Sequence, residues 1–391
     1  MVSTGPFGSV LHKSDYVEEG VPLVNPINIV DDGIVADSSM LVSDATKQRL
    51  GKYILKAGDI VVGRRGEIGR CAVVGEGEAG WVCGTGSFFI RPLPSMNPHF
   101  LAQIIRSSSC RERLEKASTG TTMKNLSNAT LGNLVVPVPP LSEQQRIVGI
   151  LDDAFDGIAR STANAQQNLR NARALFESHL QSVFTQRGKG WTETTVGAEV
   201  NLLSGFPFKS AQYTDSEKDI PLLRGDNIVQ GVLRWDDVKR WPVCDMAGYE
   251  SYQLSAGDVV LAMDRPWVKA GLKRAQISSD DLPCLLVQRT ARLRGNSSLN
   301  DRFLLYLISS DAFTRHILSV QTGIGVPHIS SQQIKDFQFL KPPLEKQLHI
   351  VDQLDELSAE TKRLESIYQQ KLAALGELKK SLLHQAFSGK L

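Results

Sequence analysis

The sequence predicts an α+β protein in which two mixed α/β domains alternate with two long helices that pair as an antiparallel coiled coil. The whole forms a pseudo-twofold internal repeat. Three observations carry this: the chain states the same motifs twice at a fixed offset, each copy opens with short strand-like runs between tight turns, and each closes on a long run of helical periodicity. Pro22-Leu23, Asn28-Ile29-Val30, Tyr53 and Ala57-Gly58-Asp59-Ile60-Val61 return 199 positions later as Pro221-Leu222, Asn227-Ile228-Val229, Tyr252 and Ala256-Gly257-Asp258-Val259-Val260. Farther along, Phe100-Leu101, Thr119-Gly120, Pro139-Pro140-Leu141, Leu151-Asp152 and Phe184 return 203 positions later, so the second copy carries four extra residues. A period this long duplicates a domain and its connector, unlike the short units of a solenoid.

The boundaries follow from changes in character. Residues 1–138 form the first domain, 139–187 the central long helix, 188–341 the second domain and 342–391 the C-terminal long helix. In the first domain, short apolar runs such as Ile60 to Val62, Cys71 to Val74 and Phe88 to Ile90 lie between glycine-bearing turns, as short strands do. Helices are expected at Pro98 to Arg106 and at Asp301 to Ser309. The first long helix is expected to open with Ser142 as N-cap and Gln145 completing a capping box. Along it Ile147, Leu151, Ile158, Leu169 and Phe176 keep a three-four spacing. The second copy keeps it at Ile350, Leu354, Leu357, Leu364, Tyr368, Leu375, Leu378 and Leu382. A helix of this extent spans on the order of 60 Å. Its narrow apolar seam needs a partner, and the other copy is the natural one.

Composition narrows the function classes. With 44 basic and 42 acidic residues, the formal charge is +2, too small for a polyanion binder working through bulk electrostatics, although a local patch remains open. Five cysteines without a Cys-x-x-Cys pair read as reduced thiols of a cytoplasmic protein. No apolar run reaches the roughly 18 residues of a membrane helix, so no membrane partner is expected. A phosphate-cradling Gly-x-x-x-x-Gly-Lys-Ser/Thr loop is missing, as are a His-Glu-x-x-His pair and a zinc spacing. Asn25-Pro26-Ile27 and Asn97-Pro98-His99 lack the Asn-Pro-Pro-Tyr turn of an amino-methyltransferase. No catalytic or metal-ligating residue is proposed.

Two surfaces are candidates for binding. Arg64, Arg65 and Arg70 surround Gly66 on a turn where arginine forks could meet guanine edges or phosphates, and Arg265, Trp267, Lys269, Lys273 and Arg274 occupy the matching stretch. An ordinary solvated hairpin reads equally well. The loop before each long helix offers Thr119, Thr121, Thr122, Lys124 and Asn125, and in the second copy Thr322, Val326 and His328. A loop packed against its helix is the alternative there. A further asymmetry lies at the start: Gly190-Trp191 and Val196-Gly197 introduce the second domain, whereas Met1 stands near the equivalent of Leu202. The first domain is therefore expected to lack an edge strand, to have it supplied from elsewhere, or to begin upstream of Met1.

The openings PPLSEQQRIVGILDD from Pro139 and PPLEKQLHIVDQLDE from Pro342, with GDIVVGRRGEIGR from Gly58 and GDVVLAMDRPWVKAG from Gly257, resemble the specificity subunits of type I restriction-modification systems over nearly the whole chain. The resemblance implies two target recognition domains, each reading half of a split double-stranded DNA target, with the helices setting the spacing. It also implies a non-catalytic subunit with two methyltransferase subunits docked on the helices. S-adenosylmethionine would sit on those partners and not on this chain, and motor/nuclease restriction subunits would join for cleavage. The competing readings are a coiled-coil adaptor whose repeats bind protein or RNA, and a single-chain modification enzyme, which the missing catalytic motifs disfavour.

Overall fold

The computed structural model describes residues 1–7, 10–30, 33–118, 125–323 and 325–391. The chain divides into two compact units, one of residues 1–167 with 368–391, the other of residues 168–367. Each long helix therefore contributes a part to both.

The first unit is built on a four-stranded antiparallel sheet of β1 (Val2–Thr4), β2 (Ile60–Gly63), β3 (Cys71–Val73) and β4 (Ser87–Ile90), in the order β1-β4-β2-β3. The second repeats it with β5 (Val200–Ser204), β6 (Val259–Ala262), β7 (Arg274–Gln276) and β8 (Thr290–Gly295), in the order β5-β8-β6-β7. β2 and β6 are buried along their whole length, so they read as continuous apolar runs without alternation. Behind each sheet lies a short helix, α1 (Pro98–Arg106) or, in the second unit, Asp301–Ser309, with the bounds the sequence predicts. Both are capped by asparagine: Asn97 accepts from Phe100 N–H, and Asn300 from Arg302 and Phe303 N–H.

The duplicated Gly-Asp motif now has a physical reason. Gly58 and Gly257 adopt φ of +82° and +93°, where a side chain would be strained. The following carboxylates are almost fully enclosed: Asp59 takes hydrogen bonds of 2.8 and 2.6 Å from Arg91, and Asp258 takes 2.7 and 2.9 Å from Arg294. Each also accepts the backbone N–H three residues upstream, Lys56 or Ser255. A buried charge satisfied on both oxygens fixes the turn.

The first long helix, α2, spans Leu141–Thr185 and its sister, α4, spans Leu344–Phe387; the short helix Asp301–Ser309 between them is α3. The openings differ from the expected capping box. Ser142 and Gln145 are exposed within the helix, and Pro140 O caps it by accepting from Glu143 and Gln144 N–H. Gln144, fully buried, is the polar residue that matters: it accepts from Asn97 N–H at 2.7 Å and donates to Ser95 O and Pro139 O. Gln347 makes the same three bonds to Asn300, Ser298 and Pro342. A glutamine with all these bonds satisfied locks each helix start to the domain that precedes it.

Within the first unit, α2 and α4 run antiparallel: Arg146 donates to Leu391 O, while Phe155, farther along α2, stacks under Lys379, earlier in α4. Within the second, Arg173 pairs with Glu365 at 2.8 Å, and Leu180 and Val183 share an apolar cluster with Leu354. Ile147, Leu151 and Leu354 are buried; Ile158, Leu169, Phe176, Ile350, Leu357, Leu364, Tyr368, Leu375 and Leu382 are half-buried. The seam departs from the expected spacing in two places. Phe155 is buried beside Leu151, and near the end of α4 Leu383 and Ala386 turn inward while Leu378 is 46% exposed. Both ends pack on a globular core, which takes a wider apolar stripe than a two-helix seam.

At the start of the chain, Val2 lies opposite Ile90 as Leu202 lies opposite Leu293, so β1 fills the edge of the first sheet. What the first domain does not repeat is the ribbon of Thr192–Thr195 against Gln338–Lys341. The matching residues, 135–138, form no strand, and Val135 and Val138 are 76% and 57% exposed.

Candidate nucleic-acid interface

The turn after β2 and the turn after β6 are held by the same backbone bonds. Gly63 N–H donates to Arg70 O and Ala262 N–H to Lys273 O; Arg64 N–H donates to Gly86 O and Met263 N–H to Arg289 O; Leu126 N–H donates to Arg64 O and Ile329 N–H to Met263 O. The matching shows where the second copy's extra residues lie. Three residues separate Gly66 from Arg70, and seven separate Arg265 from Lys273. The four additional residues build a small hairpin of Trp267–Val268 against Gly271–Leu272 on the basic turn itself.

The side chains on this shared frame differ. In the first domain Arg64 points inward, donating to Asn125 Oδ1 at 3.0 Å and to Leu126 O, and lying over the Phe7 ring at 4.9 Å. Asn125 thus positions Arg64. Arg65 is exposed, its backbone bridged to Asn125. Arg70 pairs with Glu67 at 3.0 Å and turns into a cavity of about 710 Å³ that Arg106, Arg111, Asp156 and Lys379 also line. The hydrogen bond from Arg70, with help from Arg111, holds the Glu67 carboxyl below its usual range. Thr119, Thr121, Thr122 and Lys124 lie outside the described residues.

In the second domain an open cleft of about 590 Å³ lies at the turn, lined by Arg224, Lys239, Arg265, Lys273 and Arg289 against Asp226 and Asp264. Arg289 bonds Asp264 at 3.1 Å, Arg224 faces Asp226 at 3.5 Å, and Lys239 reaches Asp215 at 3.2 Å. Burial lowers the Lys273 pKa. His328 organises the rim by exchanging backbone hydrogen bonds with Thr322 and placing its ring 3.1 Å from the Thr322 hydroxyl. Val326 lines the same cleft. Trp267 and Lys269 are exposed on the hairpin, outside the cleft lining. Arg274 is drawn under the Gly231 turn; burial brings its pKa down to about 10, and its Nε has no partner among the described residues.

Sequence reasoning missed Arg224, Lys239 and Arg289, which are far apart in the chain and meet only in the fold. It also missed a backbone signal. Among the described residues, two non-glycine residues hold positive φ, Arg265 at +44° and Arg289 at +66°, and both line this cleft. Such conformations cost on the order of 1 kcal/mol each and persist where the surroundings impose them.

Chemically, the described residues of the site offer charge and hydrogen-bond donors. Burial pushes the Cys110 thiol up to about 11 and the Cys284 thiol up to about 12. Among the described residues, no three metal-ligating side chains come together, and no helix is long and apolar enough to cross a membrane.

Two copies of one α+β scaffold, each locked to a long helix and each presenting its own cationic turn, define a duplicated recognition protein. The chain belongs to the type I restriction modification DNA specificity domain family, whose domain matches residues 14–170 and again 206–373. It is 37% identical over 180 residues to the type I restriction enzyme EcoAI specificity subunit of Escherichia coli, a match covering 46% of this chain and 30% of that protein. It is 26% identical over 292 residues to the MjaVIII specificity subunit of Methanocaldococcus jannaschii, covering 71% of this chain and 67% of that one. The fold is shared with a chain from a type I R-M system assembly, with a TM-score of 0.77 at 20% identity and coverage of 95% and 92%. It is also shared with the HsdS subunit from Thermoanaerobacter tengcongensis, with a TM-score of 0.63 at 20% identity and coverage of 96% and 94%.

Proposed function

We propose that this chain is the sequence-reading, non-catalytic subunit of a type I restriction-modification complex. Each globular domain reads one half of a split duplex target. Two adenine-N6 methyltransferase subunits, carrying S-adenosylmethionine, dock on the helical region, and motor/nuclease subunits join for restriction. The observation that carries this reading is the pair of turns after β2 and β6, one hydrogen-bonded frame bearing two different sets of cationic side chains. Two half-targets of different sequence require that combination, because phosphate contacts position a reader while base contacts specify.

The test is long-read, modification-sensitive sequencing of the source genome with the gene intact and deleted. Loss of N6-methyladenine from a split target on deletion is the expected result, and an unchanged pattern of marks would count for the adaptor reading. The continuous helices are the elements whose length would set the spacer between half-targets. Inserting four residues, about one helical turn, after Ala165 should then change the spacer and leave both half-targets legible. An unaltered spacer would remove the helices from that role.

A further inference from the structure

We infer that Arg265 is a specificity-determining residue, reading the major-groove edge of a guanine in the half-target of the second domain, with Arg289 beside it. The inference rests on the DNA-reading function proposed above and names one of its contacts. Its root is a comparison the chain makes with itself. Arg265 occupies the place of Gly66, and Arg289 that of Gly86. Gly66 takes φ of +84°, a conformation glycine adopts freely, and a Cβ there would meet nothing within 4 Å. The turn therefore needs a left-handed residue and tolerates glycine. In the second domain that strained position is held by arginine, with its N–H donating to Pro327 O at 2.7 Å.

Folding does not account for this choice. The Arg265 side chain has no hydrogen bond or ion pair among the described residues, whereas Arg289 is tied to Asp264 and Arg224 to Asp226. An untied guanidinium at the rim of a cationic cleft is a fork with five donors and no side-chain partner among the described residues. Guanine O6 and N7 form a bidentate acceptor of matching geometry. Lys273 and Lys239, point charges in the same cleft, suit phosphate oxygens. Asp264 ties the Arg289 fork through its 3.1 Å ion pair, whereas the Arg265 fork carries no such tie.

The test uses the full chain with its methyltransferase subunits, a random-sequence duplex pool, and sequencing of the bound fraction. The parent should select a split sequence. Arg265→Gly, which restores the sister residue, should keep selection of the other half and lose preference at one guanine position on the order of ten- to a hundredfold. Its melting temperature should equal or exceed the parent's. Arg265→Lys, keeping the charge without the fork, should lose the same preference with little change in total binding. Three results overturn the inference: an unchanged selected sequence, weakening spread evenly over all sequences as a phosphate contact would give, or loss of preference by the glycine variant that the lysine variant restores. A parent that selects no sequence removes the DNA-reading function itself, and the inference with it.

Discussion

The basic turn of the first domain and that of the second share their backbone and almost nothing else. In the first, Arg64 is folded back onto Phe7 and Asn125, Arg70 onto Glu67, and glycine takes the left-handed position. In the second, Met263 replaces Arg64, aspartate replaces Arg65, arginine takes the left-handed position, and four extra residues raise a hairpin with Trp267 at its edge. The comparison teaches where this duplicated chain is free to change. Residues that tie the frame, Asp59 and Asp258, Gln144 and Gln347, Asn28 and Asn227, are the same type in both copies, whereas the residues displayed on it differ in charge, size and number.

If the frame is common, breaking it should cost both domains alike. Asp59→Ala and Asp258→Ala each strand an arginine and open a buried turn, and each should lower stability by about 3 kcal/mol. Urea denaturation of the full chain would measure it, and values more than about 1 kcal/mol apart would refute a shared frame. Gln144→Ala and Gln347→Ala should follow at about 2 to 3 kcal/mol each, because each leaves three backbone groups without their buried partner. A cost under about 0.5 kcal/mol in the same assay would show that water replaces the amide.

Other substitutions should separate the domains. In the second, Arg302 and Tyr306 both donate to Asp355, and Arg302 also reaches Gln276 at 2.9 Å, sewing α3 to α4. His99 and Gln103 stand at the places of Arg302 and Tyr306 in the first domain. Tyr306→Phe should cost about 1 kcal/mol. Burial works against the Asp355 carboxylate, but the bonds from Arg302 and Tyr306 prevail and hold its pKa below the ordinary 3.8. The stability it lends is complete above its unfolded pKa and is lost as pH falls through the lower folded value. Thermal unfolding below about pH 4 should therefore show an acid loss that Asp355→Asn reduces, and identical pH profiles would contradict it. An effect as small as that of Tyr306→Phe is expected from Gly66→Arg, which places a side chain at φ of +84° in open space and should cost about 1 kcal/mol by thermal melting. No cost at all would mean that arginine at this turn is unstrained in either domain.

Much of this was legible in the sequence. The constant offsets gave the repeat and matched the helix expected from Pro98 to the one expected from Asp301, and the three-four spacing gave the long helices. The rest depended on atoms that pattern does not describe. Ser142 and Gln145 fit a capping box as residue types, but proline carbonyls cap the helix, and the neighbouring Gln144 goes inward because the Asn97 turn presents groups that only an amide can satisfy. Leu378 continued the periodicity and is exposed, because the apolar face turns toward the globular core where Leu383 and Ala386 are buried. Of the candidate turn residues, Arg64 and Arg274 are basic in the sequence yet committed to the fold. Arg289 gave no local signal, since its importance lies in a backbone angle and a neighbour 25 positions away.

The stretch from Val135 to Val138 has one more consequence, for solubility. In the second domain the matching strand is covered by Thr192–Thr195, while here Val135 and Val138 are exposed and the Val135 carbonyl accepts from Arg113 at 3.0 Å. An uncovered apolar edge is a template on which another chain can add a strand. Pro137 stands between those valines and Pro139-Pro140 follow, removing N–H groups that a growing ladder would use. The prolines that lead into the helix thus also leave few N–H groups on this stretch for a further strand to pair with.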